Sequence, residues 1–408
     1  MSILALNAGS SSLKFGLFDD QARERFVTGE IDWANGDRQQ AQLVVRPHNG
    51  TTVRLRQPVP DSAAAAACAI QAALGPTTHR GCSAIPAITA VGHRVVHGGT
   101  EFRASVLIDE RVRSAITRLC DLAPLHNPPA LTAIQAAEAA LPGKPQVAVF
   151  DTAFYDHLSP TAYLYGVPYS WYQNWGIRRF GFHGISHAYC ASRAGELMKR
   201  EPAQLRVITC HLGGGCSATA VRGGVAIATT GGFTPLDGLL MGTRCGSVDP
   251  GILIYLQRHE GLTHKELARA LNYSAGLLGI SGVSADLAEI EAAASQGHER
   301  ARLAFDMFAD QVRSAIAALA ASLGGVDALT FTDRIGEGSA ALRAAVCDGL
   351  QFMGIKLDRE RNAHARPDVD VATADSPVRV MVVHAEEELA VAREALRVSR
   401  NARSANVV

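Results

Sequence analysis

Apolar positions along the chain fall into short blocks separated by longer stretches of helical spacing. Residues 3–6 and 15–18 are apolar runs on either side of Asn7-Ala8-Gly9-Ser10-Ser11-Ser12, which predicts two paired strands joined by a small-residue turn. Residues 41–55 alternate apolar and polar, as a half-buried strand does, with a turn at 47–50. Asp61 precedes an Ala-rich stretch and is placed to cap a helix. Residues 90–96 and 147–150 read as further strands, the second ending on Asp151. Residues 207–210 run into His211-Leu212-Gly213-Gly214-Gly215-Cys216-Ser217, and alternation resumes over 218–221. Residues 328–331 lead into Thr332-Asp333-Arg334-Ile335-Gly336-Glu337-Gly338-Ser339, where a helix starts with its N-terminus available to an anion. The last strand covers 378–383, and Glu386-Glu387-Glu388 opens a C-terminal helix at the end of the dipole that suits carboxylates. Residues 401–408 are expected to form a frayed tail.

The second half thus repeats the opening scheme of strand, small-residue turn and strand. With strands and helices mixed throughout, this predicts an α/β chain with two related lobes and a cleft between them. The length of 408 residues fits two or three domains. Lys+Arg and Asp+Glu balance at 39 each, so there is no global basic field for nucleic acid. The eight cysteines form no CxxC pair and several lie in apolar runs, which predicts buried free thiols rather than disulfides or zinc ligands. No basic leader precedes the short N-terminal apolar run, and no apolar run approaches the ~20 residues of a membrane span. A soluble cytoplasmic protein is expected.

The chemistry concentrates in a few stretches. In the opening turn, Asn7, Gly9, three serines and Lys14 combine close backbone approach with donors and charge, as a phosphate site requires. The Gly-Lys-Ser/Thr ending of a P-loop is missing. GHRVVHGG, residues 92–99, places Arg94 and Val96 on one strand face and His93, Val95 and His97 on the other. Histidines four apart on a strand do not make a metal pair, but a strand arginine needs an anion. In RRFGFHGISHAYC, residues 178–190, His183 sits between glycines ahead of a helix and suits donation to a charged transition state. Residues 229–251 hold Arg244 in a Gly-rich loop, with Asp249 close in sequence. Two arginines, the carboxylates Asp151 and Glu387, and two Gly/Ser turns fit phosphoryl transfer to an anionic acceptor, which needs positioning and charge neutralisation more than a covalent nucleophile.

NAGSSSLKF, GHRVVHGG, APLHNP, FDTAF, RRFGFHGISH, MGTR and the terminal EEL appear in the order seen in the acetate and propionate kinase family, which this sequence resembles over essentially its whole length. The resemblance implies a two-lobed actin-like (ribonuclease H-like) α/β fold with duplicated mixed-sheet domains and a central cleft. The lobes would be 1–152 plus 386–408, and 153–385 on the nucleotide side. It implies a homodimer and Mg²⁺-dependent transfer from ATP to acetate, giving acetyl phosphate and ADP. By motif, Asn7 and Glu387 would support the metal, and Arg94 and Arg244 would hold the carboxylate and the moving phosphoryl group. His183 would donate to the transition state. Asp151 would orient the acceptor or act beside the magnesium, with His126 nearby. Val96, Leu125, Phe182 and Pro235 match the pocket for the acetate methyl group. Ser12, Lys14, His211, Gly213, Gly214 and Gly215, with Asp333, Arg334, Ile335, Gly336 and Glu337, match the nucleotide and phosphate loops.

Three departures stand out. The family's HLGNG reads His211-Leu212-Gly213-Gly214-Gly215, losing an amide at Gly214; its GGIGEN reads Asp333-Arg334-Ile335-Gly336-Glu337-Gly338; and Ser247 replaces an acidic residue. They bear on the phosphoryl donor. Arg334 either stacks on a base, pairs with a phosphate, or fills the adenosine pocket. The alternatives to an ATP-dependent acetate kinase are a propionate or pyrophosphate-dependent short-chain acid kinase and a non-catalytic binding homologue.

Overall fold

The computed structural model describes residues 2–9, 12–33, 38–75 and 87–405. Ser10, Ser11 and Cys82 lie outside the described residues. The chain divides into two units, Met1–Phe154 with Glu386–Val408, and Tyr155–Ala385.

The first unit is built on β1 (Ser2–Ala8), β2 (Ser12–Asp19), β3 (Arg25–Asp32), β4 (Ala41–Pro47), β5 (Val53–Gln57), β6 (Ile88–Val95), β7 (Val106–Leu107) and β8 (Gln146–Phe150), in the order β5-β4-β3-β2-β1-β6-β8-β7. β1 pairs antiparallel with β2 and parallel with β6, which is parallel to β8. Alternation along these strands sorts side chains to two faces. Leu4, Leu6, Phe15 and Val91 enter one core with Ala65, Ala69 and Ile70 of the helix Ser62–Leu74 and Ala133 and Ala137 of the helix Asn127–Ala140. Asp61 caps the first of these through Ala64 N–H. The other face receives the C-terminal helix, Glu387–Ala405. Gly92 makes room for it, since a Cβ there would lie 2.7 Å from Val391. That helix runs to Ala405, so much of the stretch expected to fray is helical. Its last turns carry alternating small and basic residues that continue the amphipathic pattern.

The second unit is built on β9 (Arg206–Leu212), β10 (Cys216–Arg222), β11 (Val225–Thr229), β12 (Ala328–Thr332), β13 (Val369–Asp370) and β14 (Arg379–Val382), in the order β11-β10-β9-β12-β14-β13. The long helix Glu299–Leu323 buries Phe305, Phe308, Val312 and Ile316 against Ile208, Ala218, Ala220 and Leu329. β9 is antiparallel to β10 and parallel to β12, which is parallel to β14. The run β10-β9-β12-β14 therefore repeats β2-β1-β6-β8 in order and direction, and the duplicated strand-turn-strand pattern is a duplicated sheet.

The seven described cysteines are free, with Cys190, Cys210, Cys216 and Cys347 buried. No described helix is long and apolar enough to cross a membrane.

Candidate active site

In the first unit the parallel strands β1, β6 and β8 end side by side and deliver Asn7, Arg94 and Asp151 to one edge, the usual ligand edge of such sheets. The first turn of the C-terminal helix adds Glu387 and Glu388. Arg94 donates to Asp151 Oδ2 through Nε (3.1 Å) and Nη2 (2.8 Å). Its Nη1 donates to Asn7 Oδ1 (3.1 Å) and Glu387 Oε2 (3.2 Å). Asn7 Nδ2 in turn donates to Glu387 Oε2 (2.8 Å) and Glu388 Oε1 (3.1 Å). Burial alone would lower the Arg94 pKa, but Asp151 and Glu387 outweigh it and the net direction is upward. The Glu388 carboxyl is raised by burial first, then lowered by Lys14 and raised again by Glu387. Lys14 stands opposite Asn7 in the β1–β2 pair, and Ser12 closes the intervening turn by accepting from Gly9 N–H at 2.8 Å.

Val96 is buried just past the end of β6. The next residue, His97, is pinned from its N–H to Asn127 Oδ1 and from its carbonyl to Asn127 Nδ2, both at 3.1 Å. Asn127 begins the helix that His126 precedes, so these two bonds tie the half-buried Leu125-His126 segment to the Val96 turn. His93 and His97 serve the fold. His93 Nε2 bonds Gln146 Oε1 at 2.8 Å, and His97 Nδ1 accepts from Gly99 N–H at 3.0 Å.

The second unit gathers a different set. His183 precedes the helix Gly184–Met198 in a left-handed conformation, φ 54°, and stacks on His211 with ring centroids 4.2 Å apart. His183 Nδ1 lies 2.7 Å from Ser217 Oγ, and His211 Nδ1 lies 2.9 Å from Ser186 Oγ. Gly215 is required for the approach of two functional groups. A Cβ there would meet His183 Nε2 at 3.1 Å and Arg244 Nη1 at 3.6 Å. Arg244 is 9% exposed, and its guanidinium donates to the Pro235 carbonyl at 2.9 Å and approaches Met241 Sδ at 3.5 Å. Among the described residues no carboxylate pairs with it, and burial lowers its pKa, although an arginine stays charged. Asp249, near in sequence, instead caps the helix Pro250–His259 through Gly251 N–H. Backbone packing holds the arginine loop: Gly276, φ +67°, lies so close to Met241 O that a Cβ would approach to 2.2 Å. Phe182 is buried, and its carbonyl accepts from Tyr155 Oη at 2.6 Å.

The altered loops behave differently from one another. A Cβ on Gly214 would meet nothing within 4 Å, so the missing amide leaves room rather than a repacked loop. Asp333, φ 63°, presses its carboxylate onto Gly213 and lies 3.4 Å from His211 Nε2. Arg334 does not turn inward. It pairs with Asp286 at 2.7 Å and is 64% exposed, because the ion partner lies at the rim. Ile335 and Gly336 are buried within the short helix Asp333–Gly338. Glu337 accepts from Asp333 N–H (3.1 Å) and Ala385 N–H (2.9 Å) and pairs with His384 (2.8 Å). Ser247 Oγ donates to Asp237 Oδ1 at 2.5 Å.

Two further side chains have roles that the motifs do not state. Arg343, 1% exposed, donates from Nη1 to the Gly336 and Glu337 carbonyls at 2.8 Å and so closes the C-terminal end of the loop helix. His187 lies between Thr209 and Ser217 rather than in a metal pair with His183.

Oxygen ligands that a divalent cation could use stand at the first-unit edge, in Glu387, Glu388 and the amide of Asn7. The donors there are all oxygens, and two carboxylates converge on one amide beside Asp151. Among the described residues no group of three or more His, Cys, Asp or Glu is arranged to hold a metal by itself. Magnesium commonly takes only one or two protein carboxylates and fills its sphere with phosphate oxygen and water.

Residues 2–393 match the family described as the Acetokinase family. Curated relatives include acetate kinases of Cyanothece sp., 45% identical over 97% of both chains, and of Clostridium botulinum, 44% identical over 97% of this chain and 98% of the relative. Among solved structures, acetate kinase of Porphyromonas gingivalis superposes with a TM-score of 0.86 at 38% identity, covering 97% of this chain and 99% of that one. A propionate kinase from Francisella tularensis gives 0.86 at 35% identity over the same shares. Likeness of this extent shows the family, and the chain belongs to the acetokinase family.

Proposed function

We propose that this chain is an acetate kinase that transfers the γ-phosphoryl group of ATP directly to acetate, reversibly and with Mg²⁺. The observation that carries the reading is Arg244, a buried guanidinium whose neighbours are a carbonyl and a thioether, converging with His183 Nε2 on Gly215. A desolvated cation so placed favours an anion that gains charge density in the transition state.

Acetate is ionised at neutral pH and needs no base. Arg94 orients its carboxylate, and Asp151 holds the guanidinium through two bonds to one oxygen. The phosphoryl group moves between acetate oxygen and the donor in line, with His183 and Arg244 donating to its equatorial oxygens. Asn7 and Glu387 would hold the magnesium, which supplies charge neutralisation for the donor phosphates when bound. Val96 limits the acid's tail, with Leu125, Phe182 and Pro235 assigned to the same methyl pocket by motif. Gly213, Gly214 and Gly215 offer backbone N–H groups to phosphate. The outward course of Arg334 supports a nucleotide donor, since that side chain is drawn to Asp286 rather than into the loop.

A homodimer is supported by the helix Pro250–His259, which buries none of its residues and exposes Ile252, Ile254 and Tyr255 by 51–60%. Sedimentation equilibrium tests it: a monomer at micromolar concentration ends that part of the reading.

The primary test is hydroxamate trapping of acyl phosphate, with ATP and pyrophosphate as donors and acetate and propionate as acceptors. Turnover with ATP and acetate is expected. Turnover confined to pyrophosphate transfers the assignment to a different donor, and no turnover with any pair removes it.

A further inference from the structure

The histidine group of the second unit contains a hydrogen-bond chain that the transfer reaction does not itself call for. Thr209 Oγ1 donates to the Thr219 carbonyl at 3.4 Å and lies 2.6 Å from His187 Nδ1. His187 Nε2 lies 2.8 Å from Ser217 Oγ, and Ser217 Oγ lies 2.7 Å from His183 Nδ1. Thr209, His187 and Ser217 are 0–1% exposed, so their polar atoms are satisfied within the protein.

Each hydroxyl has one proton to give, so the chain runs in one of two directions, and the Thr219 carbonyl, which can only accept, selects between them. With the Thr209 proton on the Thr219 carbonyl, Thr209 Oγ1 accepts from His187 Nδ1–H. The neutral His187 ring then has a lone pair on Nε2, which accepts from the Ser217 hydroxyl. Ser217 Oγ, its proton committed, accepts from His183 Nδ1–H. From this order we infer that Ser217 and His187 are positioning residues that hold His183 in its Nδ1–H form, so that His183 Nε2 donates to the transferring phosphoryl group only when the ring is doubly protonated. The inference rests on the acetate kinase reading for its kinetic consequence but not for the tautomer.

Several charged and titratable groups face the His183 ring. His211 of β9 stacks on it, with Asp333 lying 3.4 Å beyond at His211 Nε2. Arg244 approaches the same Gly215 position as His183 Nε2. The Cys216 thiol of β10 is pushed up by burial to about 12 and stays neutral. His187 of the same helix lies edge-on with its ring centroid 6.4 Å away and is connected through Ser217. Arg244 opposes a second proton on His183, and Asp333 favours it. The transferring group, which carries negative charge, favours it further. The His183 contribution is therefore present at low pH and is lost as pH rises and the second proton leaves.

Two measurements test this. Long-range nitrogen–proton NMR on the histidine-labelled protein, assigned with His183→Gln, reads the resting tautomer directly at alkaline pH. The Nδ1–H pattern is expected for His183, and the Nε2–H pattern, meaning that every bond of the chain runs the other way, overturns the inference. This readout is independent of turnover, so it stands even where the kinase assay fails. The second measurement is the pH profile of kcat. Ser217→Ala frees the neutral ring to carry its proton on Nε2. The variant is expected to lose roughly tenfold in kcat at the acid plateau, with little change in KM, and to lose the alkaline decline seen in the parent. Ser217→Thr keeps the hydroxyl and should restore that decline. An equal fall of kcat at every pH, with the decline retained in Ser217→Ala, would mean that Ser217 only supports the loop.

Discussion

Arg94, half-buried, and Arg244, buried, are proposed for the same reaction, yet their surroundings are opposite. Arg94 is surrounded by acceptors: Asp151, Asn7 and Glu387 take its donors in one network. Arg244 has a carbonyl and a sulfur. The first is a cation whose charge is already balanced, so an arriving carboxylate must share it. The second is held desolvated by its loop and gains most from an anion that arrives late, as negative charge builds on the moving group. On the proposed assignment, binding the acceptor and stabilising the transition state fall to two arginines with different electrostatic surroundings.

Substitution separates the two. Arg94→Ala leaves the buried Asp151 and Glu387 without their cation, and should cost ~3–5 kcal/mol of stability together with activity. A denaturant melt measures it, and Asp151→Asn in the same chain should recover part of the loss. Arg244→Ala should leave the melt unchanged or slightly improved while kcat falls ~10²–10³-fold. Equal melting losses in both variants would erase the distinction drawn here.

A smaller contrast concerns the other strand residue beside Arg94. Burial holds the His93 pKa down at about 4, with the Gln146 bond pulling upward, against ~6.5 for a free imidazole. The folded state therefore prefers the neutral ring. This contribution is fully present above pH ~6.5 and is lost as pH falls toward 4, by on the order of 3 kcal/mol. His93→Gln should flatten the acid limb of a stability–pH curve over that window, whereas His183→Gln should leave it alone.

Acid selectivity and donor affinity give the smallest effects. Val96→Ala should raise the propionate-to-acetate ratio of kcat/KM by about tenfold, the value of one methylene. Asp333→Gly removes a carboxylate from the phosphate loop and should lower KM for ATP by about threefold, measured at saturating magnesium.

Much of the first-unit edge was readable from the chain alone. Short strands ending on Asn7, Arg94 and Asp151, and three carboxylates opening a helix, each follow from local periodicity and dipole rules. That they share one network depends on β1, β6 and β8 being parallel neighbours, which no local pattern encodes. The second unit was harder. The isolation of Arg244 comes from a loop pinned by Gly276 across some thirty residues of sequence, and Asp249, its sequence neighbour, serves a helix cap instead. His183 and His187 lie in one motif, but their connection runs through Ser217 on a strand distant in sequence. Arg334 was read as a candidate occupant of the nucleotide pocket because Asp286, which draws it outward, lies in a distant segment. Arg343 belongs to no motif, and only its carbonyl partners show its role.

The first unit is assembled from both ends of the chain, with its last helix carrying Glu387 and covering Gly92. On the ribosome, its sheet emerges early and stays uncovered on one face while the whole second unit is made. A chain that stops short of residue 386 therefore lacks a helix of the core and a carboxylate of the edge together. Truncation there removes core packing and a member of the Arg94 network in one step.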